Sequence, residues 1–580
     1  MTESIEDIEN ALSIPIPSSD QLTLDDYRRL TGPGILWERP GAVLDVFFEG
    51  FDTDRVIELW NAHARRALEA VGWGDERVAS RRFDGGVNLA ISAPMDQLYS
   101  AIFVAQTAWH FCAAQLLDEP EGDFTQLIED VRGVMVREAN PALIALIKAA
   151  GEHGVDVLSD DDALSLGHGT GSQTWPVDAL PDPDEVSWDR LHDVPVALIT
   201  GTNGKTTTTR LLSAIATAAG KVSGLTSTDF VRVGDEVLDK GDYSGPGGAR
   251  MLLRDQRLEF ACLEVARGGI LRRGLPLRRA RAALVSNVAA DHLGQYGVNT
   301  VPDLAAAKFA VYRTLSDDGV LVLNADDEFV VAEATNTAAQ ICWFSLNSDS
   351  EKIGTARAAG HSCAWLDQTT LHFFDGQETS NIIDVQDVPI TMKGAARYNI
   401  QNCLGALCVA RLMGVSDDAI RAGLSNFQSD PKDNPGRCNE FEANGARVFV
   451  DFAHNPHSIG AVVETMSAIA AKRRFVLLSH GGDRSDQDIR DVTKTALGLQ
   501  PDFVVAAELA DYLRGRELGE VSALIADECV VQGLTEEQVI HAPSALDGVK
   551  TILDLVEPGD LALLLVLDDR DAVFDLLDVE

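Results

Sequence analysis

The chain has 580 residues, 45% of them hydrophobic and 24% charged, and its formal net charge is −42. This length exceeds what one hydrophobic core supports, so we expect three or four globular domains. A protein this acidic lacks the basic face that a phosphate backbone requires, which argues against nucleic-acid binding.

The N-terminal residues and the cysteines indicate the compartment. The start, MTESIEDIEN, is acidic and polar with no apolar segment behind it, and no uninterrupted apolar run reaches the length of a bilayer span. The eight cysteines form no CxxC pair, so we interpret them as buried small hydrophobic residues. We therefore expect a cytoplasmic protein without a membrane contact, in which an N-terminal domain leaves room for homo-oligomer formation.

The first third of the chain predicts an α+β domain over 1–165. A strand-like run at 41–48 precedes helical patterns at 63–71, 97–117 and 141–150. Residues 166–193 are rich in Gly, Ser, Pro and Asp and show little periodicity. This composition predicts a linker.

Two α/β domains are predicted after the linker. Over 194–433, apolar runs alternate with helical patterns, which is typical of a P-loop doubly wound parallel sheet; the runs are 194–200, 260–265, 282–288 and 319–323. Over 434–580 the pattern restarts as a smaller Rossmann-like unit, with strands at 447–451, 475–479, 503–507 and 561–567 and a helix at 458–472.

A glycine-rich turn, GTNGKTT, lies between the run 194–200 and a helical pattern at 211–219. Backbone amides at a helix N-terminus can surround phosphate oxygens, so this order of elements favours a phosphate loop over an ordinary turn. The predicted phosphate-binding residues are Gly201, Thr202, Asn203, Gly204, Lys205, Thr206 and Thr207. Lys205 would neutralise the β- and γ-phosphates, and the Thr206 hydroxyl would ligate Mg²⁺.

Glu264 ends the apolar run 260–265. A carboxylate at a strand end beside a phosphate loop suits a Mg²⁺ ligand, whereas alone it would be interpreted as a solvated glutamate. Further along, NVAADHLG places Asp291 and His292 just after the next apolar run, and Lys308 follows sixteen residues later. Without further context we would interpret Lys308 as a surface lysine.

The short loop GTNGKT, followed in order by NVAADHLG, KGAARYNIQN, PGR and DFAHNP, resembles the Mur ligase family. This resemblance implies that His292 ligates a second Mg²⁺ and that Lys308 is carbamylated to bridge the metals. It also implies that Asn399 and Asn402 contact the nucleotide, although Tyr398 stands where many members have histidine. Lys205, Glu264, His292, Lys308 and Arg437 are the implied catalytic residues.

Residues after 433 are implied to close over ATP. Arg437 suits a bidentate hydrogen bond to a phosphate, and Asp451 and His454 lie where a predicted strand ends in a loop. Asn455 also fits a helix cap before Pro456. Asp483 and Arg484 either form a loop salt bridge or belong to the closing domain, and Arg267 and Arg272 either pair with acidic substrate groups or are surface arginines.

Within the family, strings such as LEVARGGILRRGL, GDRSDQDIRD and LRGRE are most similar to the Mur-type half of the cyanophycin synthetases. RLTGPGILWE, in the first domain, resembles the start of their N-terminal domain. Their ATP-grasp domain has no counterpart here, because only about thirty linker residues stand in its place. The chain would therefore hold one ATP site.

The resemblance implies an ATP-dependent amide ligase that uses Mg²⁺, activates a carboxylate as an acyl phosphate and couples it to the amine of an amino acid. The expected partners are a small-molecule amine and an aspartate-containing peptide or polymer. A ligase for a folate-like or cell-wall-like carboxylate remains an alternative. A nucleotide-binding scaffold without turnover is a second alternative, which the full set of catalytic residues argues against.

Overall fold

The computed structural model describes residues 5–578, and the remaining residues of the predicted first and last domains lie outside this range. In the described part of the chain, no helix combines the length and the apolar composition needed to cross a bilayer. All eight cysteines are free and buried, which confirms their interpretation as small core residues.

The N-terminal region is an antiparallel sheet of strand order β1-β2-β4-β3 covered by helices. The predicted strand is confirmed as β2, and the predicted helices are α2, α3 and α5. Asp52 caps α2 through its side chain, and Gly72 ends that helix in the left-handed conformation (φ 88°). The elements are α1 (Ile5–Glu9), β1 (Leu22–Leu30), β2 (Gly41–Phe48), α2 (Thr53–Val71), β3 (Val78–Phe83), β4 (Gly86–Ser92), α3 (Leu98–Leu117), α4 (Phe124–Glu138) and α5 (Pro141–His153).

The segment 166–193, predicted as a linker, is instead a packed part of the fold. It contributes to a three-stranded antiparallel sheet of β5 (Val157–Ser159), β6 (Ala163–Leu166) and β7 (Gln173–Pro176), followed by short 3₁₀ turns. Its glycines serve close packing, because a Cβ at Gly171 would lie 2.2 Å from the His192 carbonyl oxygen. Glycine-rich composition therefore indicated tight backbone contact here and not a flexible connection.

The central region is an eleven-stranded sheet of order β11-β10-β9-β12-β8-β13-β14-β15-β16-β17-β18. The strands from β9 to β16 in this order are parallel, as predicted, and antiparallel strands extend both edges. The strands are β8 (Val196–Thr200), β9 (Ser223–Thr226), β10 (Phe230–Val233), β11 (Glu236–Lys240), β12 (Phe260–Glu264), β13 (Ala280–Val285), β14 (Leu315–Asn324), β15 (Gln340–Ser345), β16 (Cys363–Asp367), β17 (Thr370–Phe374) and β18 (Thr379–Asp384).

Helices cover both faces of this sheet. Successive residues of β8 alternate between two hydrophobic clusters, with Leu198 in one and Ile199 in the other, so both faces are buried. The helices are α6 (Lys205–Ala218), α7 (Pro246–Leu253), α8 (Arg267–Arg272), α9 (Val301–Phe309), α10 (Glu328–Glu333), α11 (Glu351–Ala358), α12 (Arg397–Leu412) and α13 (Asp417–Asn426).

The C-terminal region is a six-stranded sheet of order β19-β20-β24-β21-β22-β23, parallel except for the edge strand β19. The predicted helix at 458–472 ends earlier, at Ser467. The elements are β19 (Asn439–Ala443), β20 (Ala446–Asp451), α14 (Pro456–Ser467), β21 (Arg474–Leu478), α15 (Asp486–Ala496), β22 (Phe503–Ala507), α16 (Glu520–Val531), β23 (Val539–Ala542), α17 (Ala545–Leu555), β24 (Leu561–Leu565) and α18 (Arg570–Asp578).

The sheet order places the sequence motifs together. β8 lies between β12 and β13 and runs parallel to both. The carboxyl ends of these three strands therefore meet at one edge of the sheet, where the phosphate loop, Glu264 and the segment after Val285 converge. This edge is the usual ligand crevice of an open α/β sheet.

Candidate active site

The phosphate loop joins β8 to α6. Gly204 precedes the helix in the left-handed region (φ 83°), and a Cβ at this position would lie 2.3 Å from the Asn402 side-chain oxygen, so glycine is required there. The Lys205 ammonium donates to the Thr202 carbonyl at 3.0 Å, within the same loop. Free amides at the start of α6 and one lysine thus face a single cleft.

Glu264 lies at the end of β12, against this loop. Only 2% of the residue is exposed, and neither carboxylate oxygen has a hydrogen-bond partner. Burial raises the pKa of Glu264, and the positive charges of Lys205 and Arg437 act in the opposite direction. An unpartnered carboxylate beside a phosphate loop matches the hard oxygen ligand that a divalent cation prefers.

The segment after β13 and the loop after β20 together supply a second group of candidate metal ligands. One ligand atom from each of Asp291, His292 and His454 lies within 4.8 Å of the others, an arrangement that could hold a metal ion. The His292 side chain is 45% exposed, and the partial burial of its ring lowers its pKa to about 4, so the imidazole is neutral. His292 has a positive φ of 49°, and the Arg484 guanidinium lies 2.9 Å from its Nε2 atom.

Lys308 projects from α9 into the interior. Its ammonium is buried and donates to the Gly201 carbonyl at 2.7 Å. Burial, followed by the nearby charge of Lys205, holds the pKa of Lys308 well below its usual range. This position, beneath the phosphate loop, is inconsistent with the surface lysine that the residue alone suggested.

The helix α12 borders the other side of the loop. The Asn402 side chain lines the cleft and receives a hydrogen bond from the Thr208 hydroxyl at 3.3 Å. Asn399 lies behind it: its amide donates to the Ile390 carbonyl at 2.8 Å, and its oxygen accepts from Asn402 at 3.0 Å. The structure thus brings Asn402 to the cleft and places Asn399 as its support.

The C-terminal domain closes the cleft. Arg437 donates to the Thr206 hydroxyl at 3.3 Å and lies over the Phe452 ring. Asp451 is buried, and burial raises its pKa to about 6 although Arg437 opposes the shift. Asn455 caps α14 and contacts Asn203 of the phosphate loop.

Comparison with known protein families gives two matches in this part of the chain. Residues 199–410 match the Mur ligase middle domain, and residues 436–565 match the Mur ligase glutamate ligase domain. The chain contains the two Mur ligase domains. The cleft described above lies between them, and its residues come from both.

Curated relatives include the cyanophycin synthetase of Trichormus variabilis, which is 39% identical over 376 residues, covering 64% of this chain and 41% of that protein. The chain thus spans less than half of that relative. A UDP-N-acetylmuramoyl-L-alanyl-D-glutamate–2,6-diaminopimelate ligase of Listeria innocua is 27% identical over 382 residues, covering 63% of this chain and 72% of that protein.

A solved structure of E. coli FolC in complex with DHPP and ADP has the same fold in this region. It aligns with a TM-score of 0.51 and 20% sequence identity, covering 66% of this chain and 89% of that chain. The fold predicted from the sequence is therefore confirmed for the two Mur ligase domains.

The residues predicted to bind substrate are not all at the cleft between the Mur ligase domains. Arg267 contacts the loop beside the cleft, since its guanidinium donates to the His292 carbonyl and, at 2.7 Å, to Gln295. Arg484 donates to Asp291 of the candidate metal-binding group, whereas Asp483 pairs with Arg514 at 3.6 Å near the surface. Arg272 is exposed at the end of α8.

Sequence reasoning missed a charged group beside the cleft. Asp229 of the Mur ligase middle domain accepts a hydrogen bond from the buried Arg210 at 2.5 Å and one from Arg570 of α18 at 2.7 Å. Burial alone would raise the pKa of Asp229, but the arginines outweigh it and hold the pKa below its usual value. The sequence did contain one signal for this group: Arg210 stands among threonine and apolar residues of α6, where a buried arginine needs an acidic partner.

Proposed function

We propose that this chain is an ATP-dependent acid–amino-acid ligase. The observation that carries the proposal is the buried, unpartnered Glu264 carboxylate beside Lys205 and Thr206 of the phosphate loop. Such a carboxylate is costly to the fold and has a physical use when it binds a cation there. The Mur ligase domains and the curated ligase relatives support the same chemistry.

The proposed reaction has two steps. An oxygen of the substrate carboxylate attacks the γ-phosphorus of ATP, which releases ADP and forms an acyl phosphate. The nitrogen of the amine then attacks the acyl carbon, and an amide, inorganic phosphate and a proton are released. Lys205 in the phosphate loop and Arg437 at the start of the C-terminal domain line the same cleft and would stabilise the charge that develops on the transferred phosphoryl group.

The residues present fit a divalent cation, which we propose is Mg²⁺. Thr206 and Glu264 would hold one ion, and His292, with Asp291 and His454, would hold a second. A bound cation would neutralise negative charge on the phosphates. The oxygens of Glu264 provide lone pairs without competing hydrogen bonds, whereas Nε2 of His292 accepts from Arg484 at 2.9 Å and would have to exchange that contact for the ion.

We further propose that Lys308 is carbamylated. Its lowered pKa favours the neutral amine, and an amine nitrogen that attacks carbon dioxide forms a carbamate and releases a proton. The carbamate would replace the buried neutral amine with a negatively charged oxygen ligand of the kind that Mg²⁺ prefers. A mass increase on the peptide containing Lys308 after labelling with ¹³C-bicarbonate and trapping of the carbamate tests this assignment, and an unlabelled lysine contradicts it.

The substrates follow from the resemblance to cyanophycin synthetases. We propose that the carboxylate belongs to an aspartate-containing peptide or polymer and that the amine belongs to an amino acid. The relatives also include a UDP-N-acetylmuramoyl-L-alanyl-D-glutamate–2,6-diaminopimelate ligase, and the fold is shared with FolC, so other carboxylates must be included in the test. Neither a nucleic acid nor a membrane is part of the proposal.

The deciding experiment measures phosphate release from Mg-ATP against a matrix of amino acids and carboxylates, including aspartate-containing peptides, a folate-like acid and a muramyl peptide. Mass spectrometry of each active combination should show the carboxylate plus the amine minus water. Lys205→Ala should abolish release, whereas Lys221→Ala, an exposed lysine just after α6, should not. Release that persists in Lys205→Ala, or no amine-dependent release in any combination, contradicts the proposal.

A further inference from the structure

Two arginines of the N-terminal sheet reach into the Mur ligase middle domain. Arg81 of β3 donates to the Asp303 carboxylate at 2.7 Å and to the Gly297 carbonyl at 3.0 Å. Arg28 of β1 donates to the Leu271 carbonyl at 2.9 Å, and its guanidinium lies 4.6 Å from the centre of the Tyr296 ring. Both arginines therefore contact segments that lie next to the candidate metal ligands Asp291 and His292.

The two arginines belong to one network inside the N-terminal sheet. Arg28 pairs with the buried Asp45 at 2.6 Å, and Asn88 donates to the same carboxylate at 2.7 Å. The oxygen of Asn88 in turn accepts from Arg81 at 3.0 Å. A fixed array of hydrogen bonds therefore holds both guanidinium groups in the orientation that reaches the neighbouring domain.

Nonpolar and backbone contacts reinforce this interface. The Phe83 ring covers Gly297, where a Cβ would lie 2.2 Å from the ring, and Gly297 has a φ of 70°. The Asn299 side chain donates to the Asp84 carbonyl at 3.0 Å. The hairpin of β3 and β4 is thus fitted to the loop between β13 and α9.

Each contacted segment also carries a residue of the site. The loop that contains Tyr296 and Gly297 also contains Asp291 and His292. Asp303 forms the capping box of α9, the helix that carries Lys308. The third segment, α8, ends near the Leu271 carbonyl and supplies Arg267, which binds the His292 carbonyl.

The loop has little regular structure: an isolated bridge joins Gln295 to Val298, and the Gly294 amide donates to the Val298 carbonyl at 2.9 Å. No helix and no extended strand lies between Val285 and Val301, and His292, Gly294, Tyr296 and Gly297 all have positive φ values. Non-glycine residues hold such conformations only where their surroundings specify them. The contacts from Arg28, Arg81 and Phe83 to Tyr296 and Gly297 contribute to that specification.

We propose that the N-terminal domain is a positioning element of the catalytic site, in which Arg81 and Arg28 hold the segments that carry His292 and Lys308 in metal-binding geometry. This role rests on the metal assignment of the proposed function. It gives the N-terminal domain a part in catalysis without contact with either substrate.

The test compares Arg81→Ala with Arg82→Ala in the full-length chain. Arg82 is the next residue of β3, but its side chain is 56% exposed and pairs only with the exposed Asp54, so it is a matched control. Hydrogen–deuterium exchange without metal or nucleotide should be faster over 287–309 in Arg81→Ala, and unchanged over β20. The Mg²⁺ concentration for half-maximal turnover should rise about tenfold, the size of effect seen when an outer contact of a metal site is lost, while kcat at saturating Mg²⁺ changes less.

Two further variants keep the outcomes distinct. His292→Ala removes a proposed ligand directly: if it leaves the Mg²⁺ dependence unchanged, the metal assignment and the positioning role both fail. If His292→Ala changes the Mg²⁺ dependence but Arg81→Ala behaves like Arg82→Ala, only the positioning role fails. Should Arg81→Ala not fold, Arg81→Lys retains the charge but cannot bridge Asp303 and Gly297, and the same exchange and Mg²⁺ measurements then decide.

Discussion

Asn203 and Asn455 exchange two side-chain hydrogen bonds across the cleft. The Asn203 amide donates to the Asn455 oxygen at 3.3 Å, and the Asn455 amide donates to the Asn203 oxygen at 3.1 Å. One residue belongs to the phosphate loop and the other caps α14 of the C-terminal domain. The pair therefore fixes the C-terminal domain over the site where an acyl phosphate must be kept from water.

Asn455→Asp tests this closure. Aspartate still caps α14, but it cannot donate to Asn203. Loss of one such hydrogen bond costs about 1 kcal/mol, so amine-dependent turnover should fall by roughly five- to tenfold. Phosphate release without amine should rise, because a loosened cleft admits water to the acyl phosphate. Asn347→Asp, at an exposed turn, is the control, and unchanged coupling of phosphate release to amide formation would contradict the prediction.

Glu264→Gln should separate stability from activity. The substitution removes a buried charge that has no hydrogen-bond partner, so the melting temperature should rise or stay level. Turnover should fall by about a hundredfold or more and the Mg²⁺ requirement should increase, because an amide is a poor substitute for a carboxylate ligand. Thermal melts and Mg²⁺ titrations of Glu264→Gln and of the exposed Glu378→Gln check this; a Glu264→Gln enzyme with ordinary Mg²⁺ dependence would refute it.

Local patterns made the phosphate loop and the strand-end residues predictable from sequence. GTNGKTT lies between an apolar run and a helix, and the edge of a parallel sheet then brings Glu264 and His292 to it. The β1 strand gave no such signal, because Arg28 is buried against Asp45 and the strand shows no apolar alternation. The second partner of Asp229, Arg570, gave no sequence signal, since it lies 341 residues away along the chain and only the closed domains bring the two together.

Arg570→Ala should open the interdomain cleft. Arg570 bonds Asp229 in the middle domain and packs over Gly436, where a Cβ would lie 2.8 Å from the arginine side chain. Loss of a hydrogen bond between charged groups costs about 1.5–3 kcal/mol, which favours the open arrangement. Small-angle X-ray scattering without nucleotide should show a larger radius of gyration, and the KM for ATP should rise about tenfold. Arg447→Ala, which removes an exposed pair with Glu440, should change neither quantity, and an Arg570→Ala chain as compact as wild type would contradict the prediction.

Asp451 should make stability depend on pH in a defined direction. Burial raises its pKa to about 6 from the ordinary value of 3.8, so the folded chain holds a proton that the unfolded chain releases. This contribution to stability is fully present below pH 3.8 and is lost as the pH rises through 6. Relative to wild type, Asp451→Asn should therefore gain about 1.4 kcal/mol in unfolding free energy between pH 5 and 7.5.

At pH 7.5 the substitution that gains stability should lose affinity for ATP, because the nucleotide contact implied for Asp451 needs the ionised carboxylate. Asp451→Asn should bind ATP more weakly at pH 7.5, and the difference from wild type should shrink towards pH 5, where the wild-type carboxyl is itself protonated. Urea unfolding and nucleotide titration at both pH values measure the two effects. Asp554→Asn, at an exposed position of α17, should follow the wild type in both. Parallel pH profiles for wild type and Asp451→Asn would show that this carboxyl titrates normally and would remove the explanation for both effects.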